Sequence, residues 1–104
     1  MDLGLRGKVA LVAAASRGLG RATAFELAKE GTKLFLCARG AKDLEAARDD
    51  IATRTGVDVH AVAADLSDRA QLERVTTEAL ARFGQVDILV TNAGGPPAGI
   101  FETH

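Results

Sequence analysis

Four short apolar runs recur along the chain, and each is bounded by polar or turn-forming residues. They are KVALVAA (8–14), TKLFLCA (32–38), DVHAVAA (58–64) and QVDILVT (85–91). Strands of a parallel sheet that helices cover on both faces show this nearly continuous apolar character instead of strict alternation. The pattern therefore predicts four strands in a parallel sheet.

Three segments with helical spacing of apolar residues separate these runs. The predicted helices cover residues 18–30 and 41–55 and the stretch between Asp68 and Gly84. In the first helix, Leu19 and Ala22 should face the sheet together with apolar residues further along. Asp68 and Gln71 have the separation of a capping box at the start of the third helix. Strand and helix alternate as βαβαβαβ, which predicts a single α/β domain with a doubly wound parallel sheet.

The composition of the 104 residues is that of a soluble globular protein, with 47% hydrophobic and 26% charged residues. A net charge of -1 gives no electrostatic basis for binding nucleic acid or an anionic membrane. No apolar run approaches the roughly 20 residues of a membrane span, so we expect a cytoplasmic protein. The only cysteine, Cys37, lies inside an apolar run and is interpreted as a small core residue instead of a nucleophile.

The stretch VAAASRGLG (12–20) follows the first predicted strand and combines small residues with an arginine. At such a turn, backbone N–H groups and the positive end of a helix dipole can bind the pyrophosphate of a dinucleotide. The usual G-x-G-x-x-G spacing fits poorly, because Thr23 stands at the third glycine position when Gly18 and Gly20 are the first two. This loop alone is therefore weak evidence for a dinucleotide site.

Two further motifs stand at the ends of later strands, Asp65-Leu66 after the third and Asn92-Ala93-Gly94 after the fourth. The loop at 13–20 takes the place of a T-G-x-x-x-G-x-G motif. Together these motifs make the chain resemble the N-terminal part of the short-chain dehydrogenase/reductase family. The resemblance covers essentially the whole chain but only the first part of a typical member. It implies a Rossmann-like fold, of which residues 1–104 would form the N-terminal, cofactor-binding portion.

The resemblance also implies which residues contact the cofactor. Gly18, Leu19 and Gly20 would approach the pyrophosphate, and the pair at 65–66 would hold the edge of the adenine. The segment 92–94 would tie the central strands together and line the adenosine side. The complete predicted cofactor-binding set is Ala14, Ser16, Arg17, Gly18, Leu19, Gly20, Arg39, Asp65, Leu66, Asn92, Ala93 and Gly94.

Two positions depart from the family pattern. Ala14 stands where the first loop glycine is expected, so the turn loses a residue that adopts positive φ without steric cost. Thr91 precedes Asn92 where the family often has a second asparagine. Neither change removes a group that would bind the cofactor. Each motif taken singly could also be an ordinary surface turn.

The end of the second strand, Cys37-Ala38-Arg39, bears on which nicotinamide cofactor would bind. An NAD site usually has an acidic residue about twenty residues after the glycines, which binds the ribose 2'-hydroxyl and would repel a 2'-phosphate. That acid is absent here, and Arg39 offers a planar guanidinium suited to phosphate. Arg17 in the glycine loop can close on the same group. The two arginines predict NADP(H), although each could also be a solvated surface residue.

The chain holds no catalytic residue that the resemblance would assign. In the family, a Tyr-x-x-x-Lys element assists hydride transfer between a nicotinamide and an alcohol or carbonyl carbon, and this chain has no tyrosine. No metal site and no catalytic role for the two histidines is predicted. The resemblance implies the cofactor-binding portion of an NADP(H)-dependent reductase for a carbonyl or secondary alcohol, such as a 3-oxoacyl thioester. Its full-length form would be a homo-dimer or homo-tetramer.

A second function remains open, because the same portion could be a non-catalytic fragment that binds a nucleotide or a partner chain and lacks the catalytic Tyr and Lys. A reading frame after His104 that encodes Ser and Tyr-x-x-x-Lys would favour the enzyme, and a stop codon the binding module. In the family's strand order, the fourth strand would lie beside the first and present an unpaired apolar edge here. We expect such an edge to promote association.

Overall fold

Strands and helices alternate along the chain in the computed structural model, which describes residues 4–13, 18–90 and 100–102. The elements in chain order are β1 (Val9–Val12), α1 (Gly18–Lys29), β2 (Lys33–Ala38), α2 (Ala41–Thr55), β3 (Val59–Ala63), α3 (Arg69–Phe83), β4 (Ile88–Val90) and β5 (Ile100–Glu102). The predicted βαβαβαβ order is confirmed, and a fifth strand follows it. The bounds of α2 agree with the prediction.

The strands form one sheet in the order β3-β2-β1-β4-β5. β1 pairs in parallel with β2 on one side and with β4 on the other, and β2 pairs in parallel with β3. Every residue of β1 is buried. This arrangement confirms the predicted parallel, Rossmann-like sheet with β1 at an interior position.

Successive residues of β2 point to opposite faces of the sheet and enter two separate hydrophobic clusters. Leu34 and Leu36 join the cluster that contains the buried residues of α1 and α2. Phe35 and Cys37 join the cluster that contains the buried residues of α3. The helices α1 and α2 therefore cover one face of the sheet and α3 covers the other, as a doubly wound fold requires.

The predicted sheet-facing side of α1 was wrong at its first turn. Leu19 is 48% exposed, and Ala22 is exposed as well. The buried residues of α1 are Gly20, Ala24, Leu27 and Ala28. They follow the i, i+4, i+7, i+8 spacing of one helix face, and neither Leu19 nor Ala22 lies on that face.

The helices have 12, 15 and 15 residues and expose polar residues on their outer sides. None of the helices in the described part of the chain is long and apolar enough to cross a membrane. The face of the sheet under α3 is less completely covered than the other face. Leu80 of α3 is 47% exposed, and it lines an apolar groove together with Leu72, Val86 and Leu89.

The prediction that the fourth strand forms an unpaired edge was wrong. β5 pairs antiparallel with β4, with Leu89 opposite Phe101 in the register. The short segment Ile100–Glu102 begins with a β-branched and an aromatic residue, which favour strands, and it satisfies the open ladder groups of β4. The edge of the sheet is therefore β5, and an exposed β4 can no longer be the cause of the expected association.

A carboxylate fixes the amino end of β4 against β1. Asp87 Oδ2 accepts a hydrogen bond from the Val9 N–H at 2.9 Å and another from Gln85 Nε2 at 2.6 Å. The Asp87 N–H donates in turn to the Val9 carbonyl at 2.9 Å. Val9 is buried, so its N–H depends on this carboxylate for a partner. The interaction sets the register in which β1 and β4 begin.

We expect Asp87→Ala to lower the free energy of unfolding by about 1–3 kcal/mol, because the buried Val9 N–H loses its acceptor. Asp49→Ala is the control, since it removes a carboxylate that binds Arg48 on the exposed surface of α2. Its loss should be about 1 kcal/mol or less. Urea unfolding of the protein and both variants measures the difference, and equal losses would contradict this role of Asp87.

Candidate functional site

The four parallel strands end at the same edge of the sheet. In the register, Val12 of β1 lies opposite Leu36 of β2 and Val90 of β4, and Ala38 of β2 lies opposite Ala63 of β3. The chain reaches β2 and β4 through helices on opposite faces, so the topological switch point of the sheet lies at the carboxyl end of β1, the position where open α/β sheets bind ligands. The segments that follow β1, β2 and β3 are therefore the candidate functional site.

The first turn of α1 provides backbone N–H groups at this edge. α1 begins at Gly18, whose φ of +64° lies in the left-handed region, and no described residue lies within 4 Å of where its Cβ would stand. The positive φ favours glycine here. The first turn contains no acidic residue, so its N–H groups and the positive end of the helix dipole suit an anion such as a phosphate.

Arg39 follows β2 directly and is exposed. Five other described arginines pair with carboxylates, and these are Arg21, Arg48, Arg54, Arg69 and Arg82. Arg39 forms no such ion pair within residues 4–13 and 18–90, and neither do Arg6 and Arg74. Gly40 then caps α2 without a side-chain hydrogen bond. The second strand therefore ends in a cation that no described carboxylate binds directly.

Asp65 follows β3, and Ser67 holds its carboxylate. The Ser67 hydroxyl donates to Asp65 Oδ1 at 2.6 Å, and the Ser67 N–H donates to the same oxygen at 3.0 Å. These two bonds hold the pKa of Asp65 below its usual value of 3.8, burial acts in the opposite direction, and the charge of Arg39 lowers the pKa further. The carboxylate is therefore ionised at neutral pH and feels the charge of Arg39.

The predicted capping box at the start of α3 was right for Asp68 and wrong for Gln71. Asp68 Oδ1 accepts from the Ala70 N–H at 2.9 Å, which caps the helix. In a capping box Gln71 would accept from the Asp68 N–H, but that group donates to the Asp65 carbonyl at 3.1 Å. Gln71 Oε1 accepts from the Asp65 N–H instead, at 2.8 Å. The Asp68 N–H thus has its acceptor within the turn, and the Gln71 side chain is free to accept from Asp65, just after β3.

Ser67 and Gln71 are absent from the predicted set of site residues. The Asp-x-Ser spacing at 65–67 is typical of an Asx turn, so it could have indicated the contact between Ser67 and Asp65. The sequence gives no comparable indication for Gln71. Its separation from Asp68 fits a capping box equally well, and only the shape of the turn decides which N–H it binds.

Three further residues near this edge belong to the packing of the sheet. The Leu66 side chain is partly buried and packs against the α3 cluster. Cys37 is buried, as predicted. Burial raises the pKa of its thiol to about 12, the charge of Glu78 raises it further, and the charge of Arg74 lowers it. The centroid of the His60 ring lies 5.0 Å from that of the buried Phe35 ring.

All of the predicted cofactor-binding positions stay predictions, and half of them lie outside the described residues: Ala14, Ser16, Arg17, Asn92, Ala93 and Gly94. The described positions lie in the segments that follow β1, β2 and β3: Gly18, Leu19, Gly20, Arg39, Asp65 and Leu66. Gly20 is buried within α1, whereas Leu19 is largely exposed. No group of three or more His, Cys, Asp or Glu in the described part of the chain could hold a metal ion.

Comparison with known proteins places this geometry in a family. The family model for short chain dehydrogenases matches residues 8–104. The chain is 40% identical over 88 residues to the 3-oxoacyl-acyl-carrier-protein reductase FabG of Staphylococcus aureus, covering 84% of this chain and 35% of the relative. L-Sorbose reductase from Gluconobacter frateurii, solved with NADPH and L-sorbose, matches with a TM-score of 0.87 and 39% identity, over 91% of this chain and 36% of that chain.

A second solved structure contains the other nicotinamide cofactor. NAD+-bound xylitol dehydrogenase matches with a TM-score of 0.82 and 32% identity, over 88% of this chain and 35% of that chain. Neighbours with NADPH and with NAD+ both share this fold, which supports a nicotinamide cofactor without distinguishing the two. The chain spans about a third of the length of the curated relatives it matches.

We expect Gly18→Ala to lower the free energy of unfolding by about 1–2 kcal/mol, because alanine at a φ of +64° is strained. Gly18→Asn should cost less, since asparagine tolerates the left-handed conformation better. Both substitutions add a side chain at the same place, so their difference isolates the backbone strain. Urea unfolding measures both. Equal losses for the two variants would show that the left-handed conformation does not explain this glycine.

Proposed function

The chain belongs to the short chain dehydrogenase family, and from that premise we propose that it forms the cofactor-binding portion of a longer oxidoreductase. The enzyme transfers hydride between NADP(H) and a carbonyl or secondary alcohol. The bound cofactor supplies or accepts the hydride, while the residues of this chain bind and orient it. The choice of NADP(H) over NAD(H) rests on the chemistry at the end of β2.

The choice of NADP(H) over NAD(H) is supported by the position and exposure of Arg39. Its side chain is exposed at the carboxyl edge and forms no ion pair with a described residue. An NAD site usually places an acid near this position to bind the ribose 2'-hydroxyl, and Cys37-Ala38-Arg39 offers none. A guanidinium binds phosphate oxygens through paired N–H groups. Arg17, which lies outside the described residues, is proposed to close on the same 2'-phosphate.

The remaining parts of the edge suit the rest of a dinucleotide. The N–H groups of the first turn of α1, which begins at Gly18, would hold the pyrophosphate. The ionised Asp65 would accept a hydrogen bond from the adenine amino group, with the backbone of Leu66 beside it. The segment 92–94 is proposed to line the adenosine side. These groups contribute binding and orientation and no proton transfer.

The reacting groups are proposed to lie in a part of the protein beyond these 104 residues. The chain contains no tyrosine, whereas the resemblance assigns proton transfer to a Tyr-x-x-x-Lys element. One relative is a 3-oxoacyl-acyl-carrier-protein reductase by name, and one solved neighbour holds L-sorbose. They support a carbonyl or alcohol substrate as a class. The resemblance also leads us to propose a homo-dimer or homo-tetramer.

A non-catalytic fragment that binds a nucleotide or a partner chain is the second candidate. The absence of tyrosine favours it for the chain taken alone. The two candidates differ in the coding sequence after His104. A frame that encodes a serine and then Tyr-x-x-x-Lys supports the enzyme, and an immediate stop codon supports the binding fragment.

We expect residues 1–104 expressed alone to show no turnover with NADP(H) and a range of ketones and secondary alcohols. No positioned proton donor is present, and general acid/base assistance alone contributes about a hundredfold to ten-thousandfold in rate. The absorbance of NADPH measures the reaction, with the full-length protein as the positive control. Turnover by the 104-residue chain would refute the proposal that the reacting groups lie elsewhere.

We expect Arg39→Ala to weaken NADP+ binding about tenfold to a hundredfold, because a charge-assisted hydrogen bond to the 2'-phosphate contributes about 1.5–3 kcal/mol. Binding of NAD+ should stay nearly unchanged, since NAD+ lacks that phosphate. Arg82→Ala is the control, because Arg82 pairs with Asp58 before the amino end of β3, at 3.3 Å. Calorimetric titration of the full-length protein with both cofactors decides. Equal losses for NADP+ and NAD+ would show that Arg39 does not bind the 2'-phosphate.

A further inference from the structure

The turn between β3 and α3 is stabilised by several hydrogen bonds from side chains in addition to its own backbone hydrogen bond. The Asp68 N–H donates to the Asp65 carbonyl at 3.1 Å and closes the turn. Ser67 donates twice to Asp65 Oδ1, from its hydroxyl at 2.6 Å and from its N–H at 3.0 Å. Gln71 reaches back from α3, accepting from the Asp65 N–H at 2.8 Å and donating to Asp68 Oδ2 at 3.3 Å. Both the backbone and the carboxylate of Asp65 are thereby fixed.

These contacts give the two oxygens of the Asp65 carboxylate different roles. Ser67 occupies Oδ1 twice, whereas Oδ2 has no hydrogen-bond partner among the described residues. The side chain is half-buried at the carboxyl edge. Its pKa lies below the usual value, so the group is ionised and its oxygens can only accept hydrogen bonds. A carboxylate held through one oxygen presents the other in a defined direction, which suits a donor group of a ligand.

We propose that Ser67 and Gln71 are positioning residues, which fix the Asp65 carboxylate so that Oδ2 accepts a hydrogen bond from the amino group of an adenine. The inference rests on the proposed function, because the adenine belongs to the nicotinamide cofactor. Ser67 and Gln71 act through Asp65 and do not bind the cofactor themselves. The consequence is selectivity for the base. Hypoxanthine carries a carbonyl oxygen where adenine carries its amino group, and that oxygen would face a negatively charged acceptor.

Ser67 and Gln71 act on different parts of Asp65. The Ser67 hydroxyl forms the shorter of the two bonds to the carboxylate, at 2.6 Å. Its loss leaves only the Ser67 N–H bond at 3.0 Å, so the carboxylate, whose terminal torsion is broad, is held less firmly against the charge of Arg39. Gln71 holds the Asp65 N–H and so fixes the backbone from which the side chain extends. Loss of either contact should weaken adenine recognition and leave the phosphate contacts of α1 and Arg39 in place.

The test compares the affinities of the full-length protein for NADP+ and for nicotinamide hypoxanthine dinucleotide phosphate, by calorimetric titration at neutral pH. The ratio of the two dissociation constants measures base selectivity and cancels any change that affects both dinucleotides alike. The variants are Ser67→Ala, Ser67→Thr and Gln71→Met. Thr77→Ala is the matched control, because it also removes a hydroxyl, one that donates to the Glu73 carbonyl within α3 at 2.9 Å.

We expect the unchanged protein to bind NADP+ about tenfold to a hundredfold more tightly than the hypoxanthine analogue. Ser67→Ala and Gln71→Met should each reduce this ratio about threefold to tenfold by weakening NADP+ binding. Ser67→Thr and Thr77→Ala should keep it. An unchanged ratio in Ser67→Ala and Gln71→Met, whether or not both dinucleotides bind more weakly, would overturn the positioning role and leave the proposed function intact. Failure of the unchanged protein to bind either dinucleotide would refute the proposed function, and this inference with it.

Discussion

The position of β1 between β2 and β4 is the constraint on which the remaining structure depends. β1 pairs in parallel with both neighbours, and its residues Val9–Val12 are all buried. A strand that is hydrogen-bonded on both sides and covered on both faces uses apolar residues throughout. The chain leaves β1 through α1 and reaches β4 through α3 on the opposite face, so the topological switch point of the sheet lies at the carboxyl end of β1. The open edge that suits a cofactor is a consequence of this strand order.

Carboxylates that accept backbone N–H groups stabilise the sheet and the turn at opposite ends of the parallel strands. At the amino end, Asp87 Oδ2 accepts from the N–H of the buried Val9 and so joins β4 to β1. At the carboxyl end, Asp65 Oδ1 accepts from Ser67, and its other oxygen has no described partner. The same interaction therefore serves the register at one end and prepares an acceptor at the other. The difference lies in the hydrogen bonds, since Asp87 Oδ2 accepts from both Val9 and Gln85, whereas Asp65 Oδ2 has no described partner.

The helices and strands could be predicted from the sequence because each is marked by residues within or next to it. Continuous apolar runs marked the strands, and the glycines after the helical stretches marked the ends of α2 and α3. The errors concern contacts between distant or loosely constrained segments. The partner of β4 is Ile100–Glu102, which is not adjacent to β4 in the sequence, and the exposure of Leu19 depends on how α1 crosses the sheet. The partner of Gln71 depends on the shape of one turn, which the spacing from Asp68 does not determine.

The candidate site was predictable to the extent that its residues follow strand ends, because parallel strands bring those ends to one edge. Gly18, Arg39 and Asp65 lie in such segments, whereas the predictions for Arg17 and Asn92 fall outside the described residues. The fold explains these positions to different degrees. Asp65 serves the turn through its N–H and Oδ1, so the local structure alone already favours a carboxylate at this position. Arg39 is exposed and forms no ion pair with a described residue, so the described contacts of the fold do not require a cation at that position.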